Sequence, residues 1–491
     1  MKIFLIHPKA EGSFRMPPLG LQIIATVLKE HGYESIYDID PNKGDDPYGL
    51  DYSGKDVLVG ITVTYMTVLE VSRLAEWIKN KNREATIILG GPQTTLEPEE
   101  SIHNKNVDVV VIGEGHETIL EIAGRMSEKK TLEGIKGVWY KNEKKEIIKN
   151  RPRNFTKNLD TIPYIDRSFF HERDYVRHQG TFLEKWFVPV TWYMMTAFSC
   201  PYNCNMCQPG LRKIAGPWRQ RSVAHVIREI QFLKEKYHAK VISFYDNDMG
   251  INKEWLKEFC RETKKIKGIV LKCCGRANLL DYEMLKIMKE GGFHSITVGA
   301  ESGSDRVLKD IMNKKTAVRD IIDIARNCYK LKIRLGTFWM LANPGETLEE
   351  MKETIALASE LPVFYAHFHL AVPNPGTQYY LDALQGGYLK LSSWNDVSDR
   401  RHPAIIKDGV TVDDIMNIDE YLITTMVKKG WNYTYNPPTL SFFNTRRFLR
   451  WFPLLVFGNE MNMFLRDFKF YHFRNVYLGL LYWLNPKEAE M

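Results

Sequence analysis

The chain has 491 residues, 44% of them hydrophobic and 26% charged, with a formal net charge of +7. That length is too great for one ordinary domain and calls for two or three, while so modest a charge gives no argument for nucleic acid by itself. Seven cysteines, an odd and low count, speak against a disulfide framework and fit metal-binding thiols in a reducing cytosol.

Met1–His7 does not read as a signal peptide, because its apolar run is short and proline and charge follow at once. No run of about eighteen apolar residues offers a spanning helix. A cytoplasmic protein is expected.

In chain order, Lys2–Ile6 reads as a buried strand. Pro17-Pro18 opens a helix that runs to about His31, and Gly32 stops it. Further strands are expected at Ser35–Ile39, Val57–Thr62, Thr86–Leu89 and Asp108–Ile112, with helices near Val68–Asn80 and Thr118–Met126. Such alternation predicts a doubly wound, Rossmann-like parallel sheet. Ligands in these sheets bind beyond the carboxyl ends of the strands. Three of those ends are chemically suggestive: Thr62-Val-Thr-Tyr65, Gly90-Gly-Pro-Gln-Thr94 and Gly113-Glu-Gly-His116. Glycine there admits a close backbone approach to a ligand, although a tight turn explains each run equally well. Gly137–Tyr140 and Glu146–Ile148 read as a hairpin. The first domain is set at 1–150, and the Pro-punctuated stretch 151–186 is read as a linker.

Next comes Cys200-Pro-Tyr-Asn-Cys204-Asn-Met-Cys207, just after the β-rich run Tyr193–Ser199. Thiolates are the usual protein ligands of iron–sulfur clusters. Three of them on one loop hold three irons of a cubane and leave the fourth open, as catalytic metal sites leave a position open. A structural zinc site would need a fourth ligand, and none lies nearby at finger spacing; three unrelated buried thiols is the other alternative. Cys260, Cys273, Cys274 and Cys328 lack the spacing of a second cluster and are read as structural.

Strands are then expected near Met194–Phe198, Val241–Tyr245, Val270–Arg276, Ser295–Ala300, Arg334–Met340 and Ala366–Val372. Helices are expected near Val223–Lys236, Glu254–Lys264, Tyr282–Glu290, Ala317–Leu331 and Leu348–Leu361. Six β/α units make a partial barrel over 187–391, with its chemistry at the carboxyl ends of the strands. Those ends carry Asp246-Asn-Asp248, Arg276, Gly299-Ala-Glu301-Ser302-Gly303, Met340-Leu-Ala-Asn-Pro-Gly-Glu346-Thr347 and Pro373-Asn-Pro-Gly-Thr377. His367 and His369 share one strand face with Tyr365, as satisfied interior histidines or as groups that meet substrate.

Beyond 392 the alternation stops and a mostly helical segment is expected. In Thr445-Arg-Arg-Phe-Leu-Arg-Trp-Phe-Pro-Leu-Leu-Val-Phe457 and again at 463–477, aromatics and Leu interleave with Arg and Lys. That composition suits an interfacial helix on anionic lipid, or amphipathic helices packed under the barrel.

The cysteine spacing resembles the signature of the radical S-adenosylmethionine (SAM) superfamily. The resemblance implies a 4Fe-4S cluster on Cys200, Cys204 and Cys207, with SAM on the fourth iron and a 5′-deoxyadenosyl radical after one-electron reduction. Met206 departs from the aromatic residue common at its position, and fills the same apolar space. The resemblance further implies SAM contacts from Asp246, Asp248, Arg276, Glu301, Ser302 and Met340.

The Gly90-Gly91-Pro92 and Gly113-Glu114-Gly115-His116 runs resemble the cobalamin-binding domain found ahead of many radical SAM cores. That assigns Thr62, Thr64, Tyr65, Gly90, Gly91, Gln93, Gly113, Glu114 and Gly115 to cobalamin. The D-x-H-x-x-G motif that gives cobalt a histidine is absent, so no histidine ligand is expected. The whole layout is similar to the class of anaerobic magnesium-protoporphyrin ester cyclase and hopanoid methylase. It implies a methyltransferase acting on an unactivated carbon of a hydrophobic substrate, lipid or tetrapyrrole-like, with oxidative ring formation without methyl transfer as the alternative. A low-potential donor, flavodoxin or ferredoxin, is implied as partner. A non-catalytic cobalamin or redox protein conflicts with the presence of every SAM-contact run.

Overall fold

The computed structural model describes residues 1–9, 16–179, 190–208, 214, 216–389, 410–411, 414, 417–418, 421–422, 425 and 433–435. The chain divides into two compact units. One comprises the described residues of Met1–Gln179 with those of Leu211–Gln220; the other holds Val190–Gln208, the described residues from Arg221 and the last short strand. The aromatic and basic runs at 445–457 and 463–477 lie outside the described residues. Among the described residues no helix is long and apolar enough to cross a membrane.

The first unit contains β1 (Lys2–Ile6), α1 (Leu19–Glu30), β2 (Ile36–Ile39), β3 (Val57–Thr62), α2 (Val68–Lys81), β4 (Thr86–Gly90), α3 (Pro92–Leu96), α4 (Pro98–His103), β5 (Val109–Val111), α5 (His116–Ser127), β6 (Val138–Lys141), β7 (Ile147–Lys149) and α6 (Glu172–Gln179). The sheet order is β2-β1-β3-β4-β5-β6-β7. The first five strands run parallel, and the hairpin β6–β7 extends the sheet antiparallel. Strand residues alternate between two cores, as a sheet covered on both faces requires. Ile3 and Leu5 of β1 pack with Ala25 and Leu28 of α1 and Ile119 and Ile122 of α5. Phe4 and Ile6 pack with Val71, Leu74 and Ile78 of α2. The strand order reverses between β1 and β3, so their carboxyl ends open the crevice where such sheets bind ligands.

Two features of this unit differ from the sequence expectation. The short helices α3 and α4 are absent from it; each has proline at its first position, where the missing N–H breaks no helical bond. The stretch 151–179 packs into the unit and is no linker. Phe169, Phe170 and Tyr175 lie in its core, and the Gln22 side chain donates to the Phe169 and Phe170 carbonyls at 2.9 and 3.1 Å. Low apolar periodicity hid this, because the segment docks through a few aromatics. A short strand, β10 (Arg219–Gln220), also falls in this unit.

In the second unit lie β8 (Thr191–Met194), β9 (Ala197–Phe198), α7 (Val223–Tyr237), β11 (Val241–Phe244), α8 (Lys253–Thr263), β12 (Val270–Gly275), α9 (Tyr282–Glu290), β13 (Phe293–Glu301), α10 (Val318–Lys330), β14 (Arg334–Leu341), α11 (Leu348–Glu360), β15 (Tyr365–Leu370), α12 (Gln378–Gln385) and β16 (Tyr433–Tyr435). Its sheet is parallel throughout, ordered β16-β15-β14-β13-β12-β11-β8. Seven strands replace the six expected. The seventh, β16, pairs with β15 through Ala366 and Tyr433, and three residues are too few to show a period. The first strand also ends earlier than expected, at Met194, because Thr196 and Ala197 turn to meet Asp246.

Candidate active site

Backbone contacts from several directions hold the cysteine loop in the second unit. Asn205 donates through its backbone N–H to the Met312 carbonyl at 2.9 Å and through its side chain to the Ile311 carbonyl at 2.8 Å. Tyr379 N–H donates to the Asn205 carbonyl at 3.1 Å, and Gln208 donates to the Pro375 carbonyl at 2.9 Å. The loop closes on itself through Cys207 N–H and the Cys204 carbonyl at 3.0 Å. Met206 is buried, and so takes the apolar place expected of it. Cys200, Cys204 and Cys207 stay partly exposed, whereas Cys260, Cys273 and Cys328 are buried. Burial pushes the Cys260 and Cys328 thiols up to about 12, which keeps them as neutral, inert thiols. Among the described residues no three His, Cys, Asp or Glu side chains converge on one ion; a cubane takes one thiolate per iron and needs no such convergence.

The two carboxylates after β11 have different work. Asp246 accepts from the Thr196 N–H at 2.8 Å, the Thr196 hydroxyl at 2.9 Å and the Ala197 N–H at 2.6 Å. With three donors on it and 3% of its surface exposed, it anchors the chain entering the cysteine loop. Asn247 adds a bond from its side chain to the Ser199 carbonyl at 3.1 Å. Asp248 accepts from Gly250 N–H at 3.0 Å through Oδ1, while its buried Oδ2 has no hydrogen-bond partner among the described residues. A buried acceptor without a donor is expensive unless a ligand completes it. Burial pushes the Asp248 carboxyl up to about 6, opposed by Gly250 and Arg276.

Arg276, after β12, lies with its guanidinium 4.0 Å above the Tyr202 ring inside the cysteine loop. It donates to Cys204 Sγ at 3.6 Å and to the Thr316 hydroxyl at 3.4 Å, and its buried Nε has no partner among the described residues. Tyr202 and Thr316 carried no signal in the sequence beyond ordinary loop chemistry.

Three non-glycine residues with positive φ sit at this edge: Ser199 at 73°, Glu301 at 66° and Ala342 at 59°. Such strain gathers at functional sites. Glu301 folds back over its own strand, and its carboxylate meets Lys314 at 3.0 Å. Gly299 makes room for it, since a Cβ there would lie 2.1 Å from Glu301 Oε1. Ser302 is not brought to this edge as a ligand. It is fully buried, 3.2 Å from the Thr354 hydroxyl of α11, and it braces the turn. Met340 shares its strand face with Phe338. Glu346 accepts from the Asn343 N–H and side-chain amide at 2.9 Å each, and burial pushes it up to about 8.

The sheet face turned away from the helices carries a polar and aromatic lining. Thr297 and Tyr365 hydroxyls meet at 2.9 Å, the Phe338 and His367 rings lie edge-on at 5.3 Å, and the His367 and His369 rings lie 6.1 Å apart. Tyr193 and Tyr245 make an edge contact at 6.2 Å. Tyr245 is 49% exposed. Gly336 is required here, because a Cβ would lie 2.2 Å from the Tyr365 ring.

In the first unit the expected cobalamin residues separate into turn-builders and free groups. Gly91 has φ of 100°, and a Cβ would lie 2.7 Å from Thr62 Oγ1, so it serves the turn itself. Thr64 caps the next turn with Thr67, and Tyr65 begins that turn. Gly90 ends β4, where a Cβ would meet Val111 at an ordinary 4.0 Å. Gly113 has φ of 82° and donates to Thr95; Gly115 leads into α5. Glu114 is engaged internally, in an ion pair with Arg219 at 2.8 Å and a bond from Thr156 N–H at 2.8 Å. It therefore locks the turn and is not a free ligand. Gln93 is 3% exposed, and neither its amide oxygen nor its nitrogen has a partner among the described residues. That orphaned amide, beside the crevice, fits a large amide-bearing cofactor such as cobalamin.

Residues 194–358 match the family model for the radical SAM superfamily, and residues 9–123 match that for the B12 binding domain. The chain therefore carries a radical SAM domain with a B12-binding domain ahead of it. It is 29% identical to an uncharacterised methyltransferase of Pyrococcus horikoshii over 89% of this chain and 93% of that one. It is 25% identical to cytidylyl-2-hydroxyethylphosphonate methyltransferase of Streptomyces wedmorensis, over 79% and 82% of the two chains. The radical SAM methyltransferase TsrM of Kitasatospora setae, solved with cobalamin and a [4Fe-4S] cluster, shares the fold with a TM-score of 0.65. The match covers 87% of this chain and 89% of TsrM at 16% identity. Together the two domains define a cobalamin-dependent radical SAM enzyme, with iron–sulfur cluster, SAM and cobalamin as its cofactor set.

Proposed function

We propose that the protein methylates an unactivated carbon of a hydrophobic, ring-bearing substrate. The observation that carries this reading is one edge of the second unit's sheet. There the three partly exposed thiols, the unpartnered oxygen of Asp248 and the Arg276 guanidinium adjoin a face lined by Tyr193, Tyr245, Phe338, Tyr365 and His367. When bound, the cluster supplies the electron that cleaves SAM, and cobalamin carries the methyl group. Cys200, Cys204 and Cys207 hold the cluster as thiolates. Asp248 accepts the SAM ammonium in a charge-assisted bond, and Arg276, with Glu301 fixed by Lys314, orients the rest of the molecule. The aromatic face stacks a planar ring and excludes water from it. Of the two hydrophobic classes, this lining favours a tetrapyrrole-like ring over a saturated lipid chain. A low-potential flavodoxin or ferredoxin as donor, and a peripheral membrane contact through the basic and aromatic runs, belong to the same proposal and rest on chemistry and composition alone.

Anaerobic protein loaded with iron, sulfide and cobalamin is given methyl-deuterated SAM, a strong reductant, and either porphyrin or isoprenoid-lipid acceptors. Label should reach a porphyrin-type acceptor, and SAM cleavage should be lost in Cys200→Ala, Cys204→Ala and Cys207→Ala but kept in Cys260→Ala. SAM cleavage by Cys204→Ala would sink the cluster assignment. Cleavage without any transfer of label would favour ring formation without methylation.

A further inference from the structure

The Arg276 guanidinium is clamped between the cysteine loop and the neighbouring strand ends. Its face lies 4.0 Å above the Tyr202 ring. One amino group reaches Cys204 Sγ at 3.6 Å, and the other reaches Thr316 at 3.4 Å, whose hydroxyl in turn donates to Asn278 at 3.3 Å. The residue is buried, with 7% of its surface exposed. A planar fork held by stacking on one side and a hydroxyl on another loses little freedom when it bonds a third partner. Its geometry is therefore set before any cofactor arrives.

We propose that Arg276 tunes the reduction potential of the cluster by donating a charge-assisted hydrogen bond to the Cys204 thiolate, with Tyr202 holding the guanidinium in place. The inference rests on Cys200, Cys204 and Cys207 being the cluster ligands. Reduction adds one negative charge to the cluster. A cation and an N–H donor at a ligating sulfur stabilise that extra charge, and hydrogen bonds to sulfur are among the factors that set cluster potentials. The surroundings are poorly hydrated, so the effect is larger than in water. Arg276 thus makes the cluster easier to reduce by a cellular donor, independently of any contact it makes with SAM.

The test is redox potentiometry of the reconstituted cluster without SAM, followed by electron paramagnetic resonance, in wild type, Arg276→Gln, Arg276→Lys and Tyr202→Leu. Iron and sulfide content normalises each sample. At a fixed potential near the wild-type midpoint, Arg276→Gln should show a reduced-to-oxidised ratio lower by about tenfold, a shift of 59 mV for one electron. Arg276→Lys keeps the charge without the fork and should fall between the two. Tyr202→Leu should move the same way as Arg276→Gln, by less. Identical midpoints in wild type and Arg276→Gln would overturn the proposal. If Arg276→Gln fails to hold iron, the Lys and Leu variants decide: midpoints equal to wild type in both overturn it. Failure of the underlying cluster reading looks different, since wild type itself would then give no iron–sulfur signal.

Discussion

Asp246 and Thr196 are joined by two hydrogen bonds, from the Thr196 N–H at 2.8 Å and its hydroxyl at 2.9 Å, and both residues are buried. With Ala197 N–H at 2.6 Å, this carboxylate takes up the backbone donors that a parallel strand would otherwise have satisfied, and it aims the chain into Cys200. Asp246→Ala strands three buried donors, each costing about 1–3 kcal/mol when left unpaired. We expect clear loss of thermal stability and poor iron loading. Asp246→Asn keeps an acceptor for both N–H groups and should behave far more mildly. Anaerobic melting curves with iron assays check both.

Asp248 should respond in the opposite way. Asp248→Asn removes charge but not volume, so cluster content should stay at the wild-type level. SAM affinity should fall by about ten- to a hundredfold, the worth of a charge-assisted bond of roughly 1.5–3 kcal/mol. The wild-type carboxyl sits at about 6, mainly through burial. Its anion is therefore lost as pH falls through 6, and wild-type SAM affinity should weaken there while the Asn variant stays flat. Calorimetric titration of reconstituted protein at pH 5.5 and 7.5 measures this. Equal SAM affinity in both proteins at pH 7.5 would remove Asp248 from the site.

Much of this was legible beforehand for a physical reason. Parallel strands buried on both faces, such as Val57–Thr62 and Thr86–Gly90, are nearly continuous apolar runs, and the cysteine loop declares itself by spacing. What stayed hidden depends on contacts far apart in sequence. Nothing local distinguishes Asp246 from Asp248; the difference is that Thr196 lies against one and not the other. Glu114 looked like a free turn residue until Arg219, over a hundred positions later, met it at 2.8 Å. Ser302 sits in a ligand-like run, yet it faces Thr354. Arg276 was visible as a strand-end cation, whereas its stacking on Tyr202 required the loop to fold over it.

Glu346 offers a test by pH. It is buried, its Oε2 is bonded to Asn343, its Oε1 has no partner among the described residues, and burial holds it at about 8. A carboxyl raised in the folded state stabilises most when protonated. That contribution is full below the unfolded value, 4.5, and is lost as pH rises through 8. Glu346→Gln keeps the acceptor for Asn343 and carries no charge. We expect wild type to lose about 2–4 kcal/mol relative to the variant between pH 5 and pH 9. Parallel stability curves across that range would refute the assignment.

Gln93 separates a cofactor contact from a packing residue. Its amide is buried with neither end hydrogen-bonded among the described residues, and its backbone N–H already donates to the Val63 carbonyl at 3.1 Å to hold the turn after β4. An orphaned buried amide costs the apo protein about 1–3 kcal/mol, and Leu has nearly the same volume without that penalty. If the amide exists to meet cobalamin, Gln93→Leu should melt higher than wild type in the apo form and retain cobalamin about tenfold less well. The two effects have opposite signs, which no general loss of folding produces. Thermal shift on apo protein and absorbance of bound cobalamin after desalting report them separately. Cobalamin held in the Co(II) state by wild type should show no nitrogen superhyperfine splitting from protein, since no D-x-H-x-x-G histidine is present. Unchanged cobalamin retention by Gln93→Leu would leave the amide without a ligand, whatever happened to the melting point.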